Sequence, residues 1–221
     1  MTDQAKPARP STAPLFAARE LECRRGLRAV FKGVAFDLAA GGALVLTGPN
    51  GSGKSSLLRV LAGLTPASAG EVLWQGAAIG QDREAHRARL AYLGHLDAVK
   101  PALSVAENLD FWIALGGGDG GERTARGAAL ERFGLAPLAG LPARYLSAGQ
   151  KRRLSLARVA ALPRALWLLD EPSVGLDEQA QAALMDALAG HRRAGGIAVV
   201  STHAPLALSG AAVLDLAGHA A

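Results

Sequence analysis

Three groups of residues have the types and spacing needed to handle a phosphoryl group. Gly48, Pro49, Asn50, Gly51, Ser52, Gly53, Lys54 and Ser55 fit the pattern G-x-x-x-x-G-K-[ST], whose glycines let backbone N–H groups turn inward around phosphates. Lys54 is then placed to reach the β- and γ-phosphates, and the Ser55 hydroxyl to ligate Mg²⁺, with Ser56 following at the positive end of a helix. Second, the apolar run Leu166 to Leu169 ends in Asp170 and Glu171. Adjacent carboxylates can divide two jobs: Asp170 holds Mg²⁺ directly or through water, while Glu171 polarises an attacking water as general base. Third, His203 ends the run Ala198 to His203 and is a candidate donor to the γ-phosphate, a contact whose loss costs on the order of 3 kcal/mol. The competing readings are a glycine-rich turn before a lysine, an acidic surface turn after a strand, and a lone packed histidine.

The flanks decide against the bland readings. Ala43 to Thr47 reads as a buried strand and Ser56 to Ala62 as a helix, the context that a phosphate loop requires. A strand feeding paired charges at Asp170 and Glu171 gains nothing from them structurally, and it delivers both to the carboxyl edge of a sheet. Between Leu166–Leu169 and Ile197–Ser201, Ala180, Ala183, Leu184, Ala187 and Leu188 follow helical spacing. Strand, helix, strand in that order implies parallel pairing. Further strands are expected around Leu15–Cys23 and Val30–Leu38, in a small pair at Gly70–Ile79, and at Leu90–Leu93. Ser104 to Glu107 is a capping box opening a helix to Leu115, five glycines among Gly116–Glu122 end it, and a second helix is expected over Arg123–Phe133. Residues 1–14 read as a disordered tail.

Composition sets limits without choosing a function. With 221 residues, half of them apolar, the chain has ample material for one core. The single cysteine, Cys23, excludes an internal disulfide and fits a reducing compartment. A net charge of +5 is common for solvated surfaces. No apolar run approaches the roughly 20 residues of a membrane span, and Met1 to Pro14 lacks the apolar stretch of a secretory signal, so a cytoplasmic chain is expected.

Leu146, Ser147, Ala148, Gly149 and Gln150, followed by the basic helix Lys151 to Arg158, resemble the signature of ATP-binding cassette (ABC) transporter ATPases. The phosphate loop, Asp170-Glu171-Pro172, Gly175-Leu176-Asp177 and His203 follow in the family's order, and the likeness covers nearly the whole chain. It implies an α/β P-loop NTPase fold with a mainly parallel core sheet flanked by helices. An N-terminal antiparallel β subdomain and an α-helical subdomain inserted at about 95–161 complete a single ABC ATPase domain over 15–221. It also implies ATP hydrolysis with Mg²⁺, and a second copy of the chain across two sandwiched ATP molecules. In that sandwich Ser147 and the backbone of Gly149, with Ala148 and Gln150 beside them, cap the γ-phosphate held by the partner copy. Asp177 falls in the loop communicating across the dimer, and is equally placed to N-cap the helix beginning at Glu178.

Two positions depart from the family pattern. Twelve residues before Glu107, where a glutamine is usual at the Mg²⁺ and sensing the membrane partner, stands His95. An imidazole ligates only when neutral, so this site is expected to be pH-sensitive. Near residue 25 the usual adenine-stacking aromatic is replaced by Arg25, whose guanidinium plane recovers part of the roughly 1–3 kcal/mol that stacking supplies. With Gly70–Gly76, Tyr92–His95, Lys100–Leu109 and Arg144–Arg153, these departures resemble the ATPase subunits of bacterial cytochrome c maturation haem exporters. That resemblance implies a peripheral subunit on the cytoplasmic face of the inner membrane, bound to the membrane subunit CcmB and working with CcmC and CcmD. Direct nucleic-acid binding is not expected, and membrane contact runs through the partner. Phe111 and Trp112 are candidates for that contact, packing being the competing role. Tyr92 and Trp167 read as core. Set against this are an ATPase of another ABC transporter with different cargo, a soluble cassette ATPase of DNA repair or translation, and a non-hydrolysing switch. Neither a coiled-coil insertion nor a second phosphate loop is present, and Glu171 and His203 argue for hydrolysis.

Overall fold

The computed structural model describes residues 14–26, 28–117, 122–203 and 208–219. The expected tail, apart from Pro14, and most of the glycine loop before Glu122 lie outside these residues. Strands β1 (Phe16–Arg25) and β2 (Arg28–Leu38) form a hairpin, and β3 (Ala43–Thr47) leads through the phosphate loop into α1 (Lys54–Leu61). Next come β4 (Ala69–Trp74), β5 (Ala77–Ala78), α2 (Arg83–Arg89) and β6 (Leu90–Leu93). Three helices follow, α3 (Val105–Leu115), α4 (Glu122–Arg132) and α5 (Ala148–Ala161). The chain then runs through β7 (Leu166–Asp170), α6 (Glu178–Arg193), β8 (Ile197–Ser201) and β9 (Ala212–Asp215).

The strands divide into an antiparallel sheet in the order β2-β1-β4-β5 and a five-stranded parallel sheet in the order β6-β7-β8-β3-β9. β7 and β8 are buried along their whole length, as their continuous apolar composition requires of parallel strands covered on both faces. One face of the parallel sheet, with Ala43, Val45, Trp167, Leu169, Ala198 and Val200, packs on α6 and the helical insertion. The other, with Leu44, Leu46, Leu168, Ile197 and Val199, packs on α1 and the antiparallel sheet. Alternation along each strand sorts the two sets.

Register fixes where chemistry can occur. Asp170 pairs with Ser201 and Leu46 with Ser201, so β7, β8 and β3 end at one edge as consecutive neighbours. The carboxylates and the phosphate loop therefore emerge two strand spacings apart, about 10 Å. That gap suits a triphosphate.

The expected strands and helices form with small shifts. α1 begins at Lys54, two residues earlier than its apolar pattern indicates, because Gly53 at φ 102° serves as N-cap and starts the helix inside the loop. The capping box of α3 is formed in full: Ser104 Oγ accepts from the Glu107 amide at 3.2 Å and Glu107 Oε2 accepts from the Ser104 amide at 2.7 Å. Helix α2 was not anticipated. It has a single buried residue, His86, and no apolar stripe by which to read it; Asp82 caps it through the Ala85 amide. Trp167 is core, 5% exposed, and Tyr92 is half-buried.

Candidate active site

A cleft of about 670 Å³ opens at the carboxyl edge of the parallel sheet, lined by Asn50 to Ser56, Glu171, His203, Arg25 and Arg28. The loop can take this shape only with glycine. At Gly53 a Cβ would lie 2.8 Å from the Val30 side chain, and at Gly48, φ 130°, one would lie 2.8 Å from Ser52 Oγ. α1 has no side-chain cap, which leaves its first amides directed at the cleft and suited to an anion. Ser52 Oγ is buried with no hydrogen-bond partner among the described residues, a further donor within the loop. The Lys54 ammonium, 5% exposed, donates to the carbonyls of Gly48 at 2.7 Å and Pro49 at 3.1 Å, which fixes its charge over the loop.

β7 brings two carboxylates to this edge and gives them different surroundings. Asp170 is 4% exposed and does not line the cleft; its Oδ1 accepts from Ser201 Oγ at 2.6 Å. Glu171 turns into the cleft. The turn needs a backbone conformation rare for a residue with a side chain, φ 48°. It is held by Ser201, whose carbonyl and Oγ both accept from the Glu171 amide, at 3.2 and 3.0 Å. Glu171 Oε1 lies 2.5 Å from His203 Nε2. The imidazole, a candidate donor to the γ-phosphate, faces the candidate base and lines the same cleft as the phosphate loop. Nothing in the spacing of residues 171 and 203 signals their pairing, nor the role of Ser201, although a hydroxyl ending a buried apolar strand is an available clue.

The remaining expected residues fall in three places. Arg25 lines the cleft as expected of a base-contacting group, with Nη2 donating to Ser56 Oγ at 3.1 Å. Arg28, not singled out from sequence, stands beside it. Ser147 N-caps α5 in a second complete capping box: its Oγ accepts from the Gln150 amide at 3.2 Å and Gln150 Oε1 accepts from the Ser147 amide at 2.8 Å. Ser147 and Ala148 are exposed, Gly149 and Gln150 partly so, and none lines this cleft. Asp177 caps α6 through the Ala180 amide at 2.9 Å, and its other oxygen lies 3.9 Å from Arg153. His95 is exposed in the stretch after β6 and is not among the cleft-lining residues.

The donor set fits Mg²⁺. Ser55 is an exposed hydroxyl in the cleft wall, and a carboxylate offers about four lone-pair sites, of which the Ser201 bond to Asp170 uses one. Mg²⁺ commonly takes one or two protein oxygens and completes its shell with phosphate and water. Among the described residues there is no group of three or more His, Cys, Asp or Glu side chains suited to an all-protein metal site.

Comparison with known proteins agrees with this geometry. The family described as ABC transporter matches residues 31–174. A Paramagnetospirillum magneticum protein named cytochrome c biogenesis ATP-binding export protein CcmA is 59% identical over 91% of this chain and 93% of its own length. The protein of that name from Rhodospirillum rubrum is 55% identical over 94% of this chain and 88% of its own. A Pyrococcus furiosus structure described as an ABC transporter ATP-binding protein superposes with TM-score 0.82 over 93% of this chain and 99% of that one; at 22% identity it speaks to the fold alone. With a family match over more than half its length, a phosphate loop sharing its cleft with Glu171 and His203, and relatives this similar, the chain belongs to the ABC transporter family and is an ATPase of that family.

Proposed function

We propose that the chain is the ATP-hydrolysing subunit of a cytochrome c biogenesis exporter. The observation that carries the enzymatic part is the meeting of the phosphate loop, Glu171 and His203 around one cleft. The relatives' shared name, cytochrome c biogenesis ATP-binding export protein, supports the biological part.

In this reading the loop amides and Lys54 hold the β- and γ-phosphates of ATP. Ser55 and Asp170 would hold Mg²⁺, which when bound offsets phosphate charge. Glu171 takes the proton of the attacking water, and His203 keeps the carboxylate aimed before donating toward the γ-phosphate. Arg25 lies flat against the adenine. Ser147, Ala148, Gly149 and Gln150 of a second copy close over the γ-phosphate; their exposure supports that use. Asp177 then lies near the junction of the two copies. His95, exposed after β6, senses the membrane partner.

Among the described residues no helix is long and apolar enough to cross a membrane. In this reading attachment runs through a partner, a CcmB-type membrane subunit acting with CcmC and CcmD at the cytoplasmic face of the inner membrane. The cargo is haem or a haem-carrying chaperone. Phe111, 38% exposed with the Lys100 ammonium 4.2 Å above its ring, and Trp112 beside it supply a contact surface.

Glu171→Gln tests the chemistry. A general base contributes about 10²- to 10⁴-fold, so turnover should fall by at least about 100-fold while an ATP-bound dimer accumulates on gel filtration. Normal turnover would remove Glu171 from that role. Deleting the gene and assaying covalently haem-loaded c-type cytochromes tests the biology: loss is expected, and unchanged loading points to another cargo.

A further inference from the structure

Arg152 lies in α5, five residues after Ser147, within the basic run Lys151-Arg152-Arg153. It is 7% exposed. Its Nη1 donates to the Gly94 carbonyl at 3.2 Å and to Asp97 Oδ1 at 3.1 Å. Its Nη2 donates to the carbonyls of Asp170 and Glu171, each at 2.7 Å. One planar fork thus spans three segments, the signature helix, the stretch that holds His95, and the ends of both carboxylate-bearing residues. Burying a guanidinium is costly unless its protons are used; both terminal nitrogens of Arg152 are used, its Nε is buried without a partner among the described residues, and the planar fork reaches acceptors from several directions where an ammonium cannot.

Two neighbours on the same face of α5 fasten the same stretch. Ser155 Oγ donates to the Asp97 carbonyl at 2.6 Å, and Arg158 Nη2 to the Tyr92 carbonyl at 2.9 Å. Arg152 alone of the three continues to Asp170 and Glu171. Glu171 needs such restraint, because its left-handed backbone persists only if neighbours over-determine it. Ser201 grips the amide side and Arg152 the carbonyl side.

We propose that Arg152 is a positioning residue for hydrolysis. It holds Glu171 in its left-handed conformation and makes that hold depend on the seating of residues 94–97, so a displacement at His95 is felt by the base. The inference rests on the reading of Glu171 as general base. Arg152 makes no hydrogen bond to the phosphate loop and does not itself line the cleft, meeting the lining only at the Glu171 carbonyl, so ATP should still bind when it is changed.

The test uses the purified full chain with Arg152→Gln, Arg152→Lys, Asp97→Ala, the double variant Arg152→Gln/Asp97→Ala, and Glu171→Gln alongside. Turnover is measured against ATP concentration, binding with a fluorescent ATP analogue, and folding by thermal melt. Losing charge-assisted hydrogen bonds at this strength predicts a fall in kcat of about tenfold or more for Arg152→Gln, with KM and analogue affinity within about twofold of wild type. Arg152→Lys keeps the charge beside Asp97 but cannot span both carbonyls, so it should melt near wild type and still lose turnover. Asp97→Ala should lower kcat less, and the double variant should be no slower than Arg152→Gln, the non-additivity expected of one linkage. Wild-type kcat in a folded Arg152→Lys, a loss confined to KM, or additive losses would overturn the proposal. If Arg152→Gln does not fold, Arg152→Lys and Asp97→Ala carry the test. A normal rate in Glu171→Gln would instead strike the base assignment, and this inference would fall with it.

Discussion

The backbone of Glu171 gives a prediction whose sign runs against ordinary expectation. A residue with a Cβ at φ 48° sits in the left-handed region at a cost of roughly 1–2 kcal/mol, which glycine avoids. In most settings alanine is the more stable of the two, by about 0.4–1 kcal/mol, because glycine has more freedom to lose on folding. Compare then Glu171→Gly with Glu171→Ala. Both lose the contact with His203, whose partners are 39% and 29% exposed, so that contact adds little and cancels in the comparison. The glycine variant should be more stable by about 1 kcal/mol, or roughly 2–4 °C in melting temperature for a chain of this size. Urea denaturation without nucleotide supplies the free energy and a phosphate-release assay the activity, which both variants should lack. An alanine variant as stable as the glycine variant, or more so, would refute the claim that strain is stored at the candidate base.

Three further outcomes follow from the same contacts. The capping boxes of α3 and α5 have matching geometry, so Ser104→Ala and Ser147→Ala should each cost about 1 kcal/mol in stability, yet only the second should also collapse ATP turnover; equal effects on turnover would remove Ser147 from the reaction. Burial lowers His86 and His191 below the ordinary histidine value of 6.5, so the unfolded chain binds more protons than the folded one and stability must fall as pH drops through 6.5 and below; replacing both with glutamine should flatten that decline, and an unchanged slope would locate it elsewhere. Phe111→Ala should weaken recruitment to membranes containing the partner more than it slows hydrolysis, whereas a matching loss of folding stability would assign Phe111 to packing.

The parts that could be read from residues alone are those whose signal is local. The phosphate loop lies within eight consecutive positions, Asp170 and Glu171 follow one apolar strand, and both capping boxes span four residues. What stayed hidden depends on partners brought together by strand register. Ser201 meets Asp170 and Glu171 from about 30 positions away because β8 pairs with β7 in parallel, and His203 reaches Glu171 for the same reason. Arg152 was hidden by its neighbours' charge: in a run of three cations nothing marks the one that turns inward. Counting back from Glu107 finds the stretch that carries His95, but not that the side chain is exposed there, between Gly94 and Asp97, which α5 anchors.

The three tryptophans fall one to each structural unit. Trp74, in β4 of the antiparallel sheet, lies 5.1 Å beneath the Arg89 guanidinium; Trp112, in α3 of the helical insertion, lies 4.7 Å beneath that of Arg158. Trp167, at the start of β7 in the parallel sheet, stacks on His191 at 4.1 Å with the rings 8° from coplanar. Indole emission responds to such neighbours, so three variants retaining one indole each would give optical reporters that distinguish the units. Whether the helical insertion loosens before the nucleotide-holding body then becomes a question for a fluorimeter.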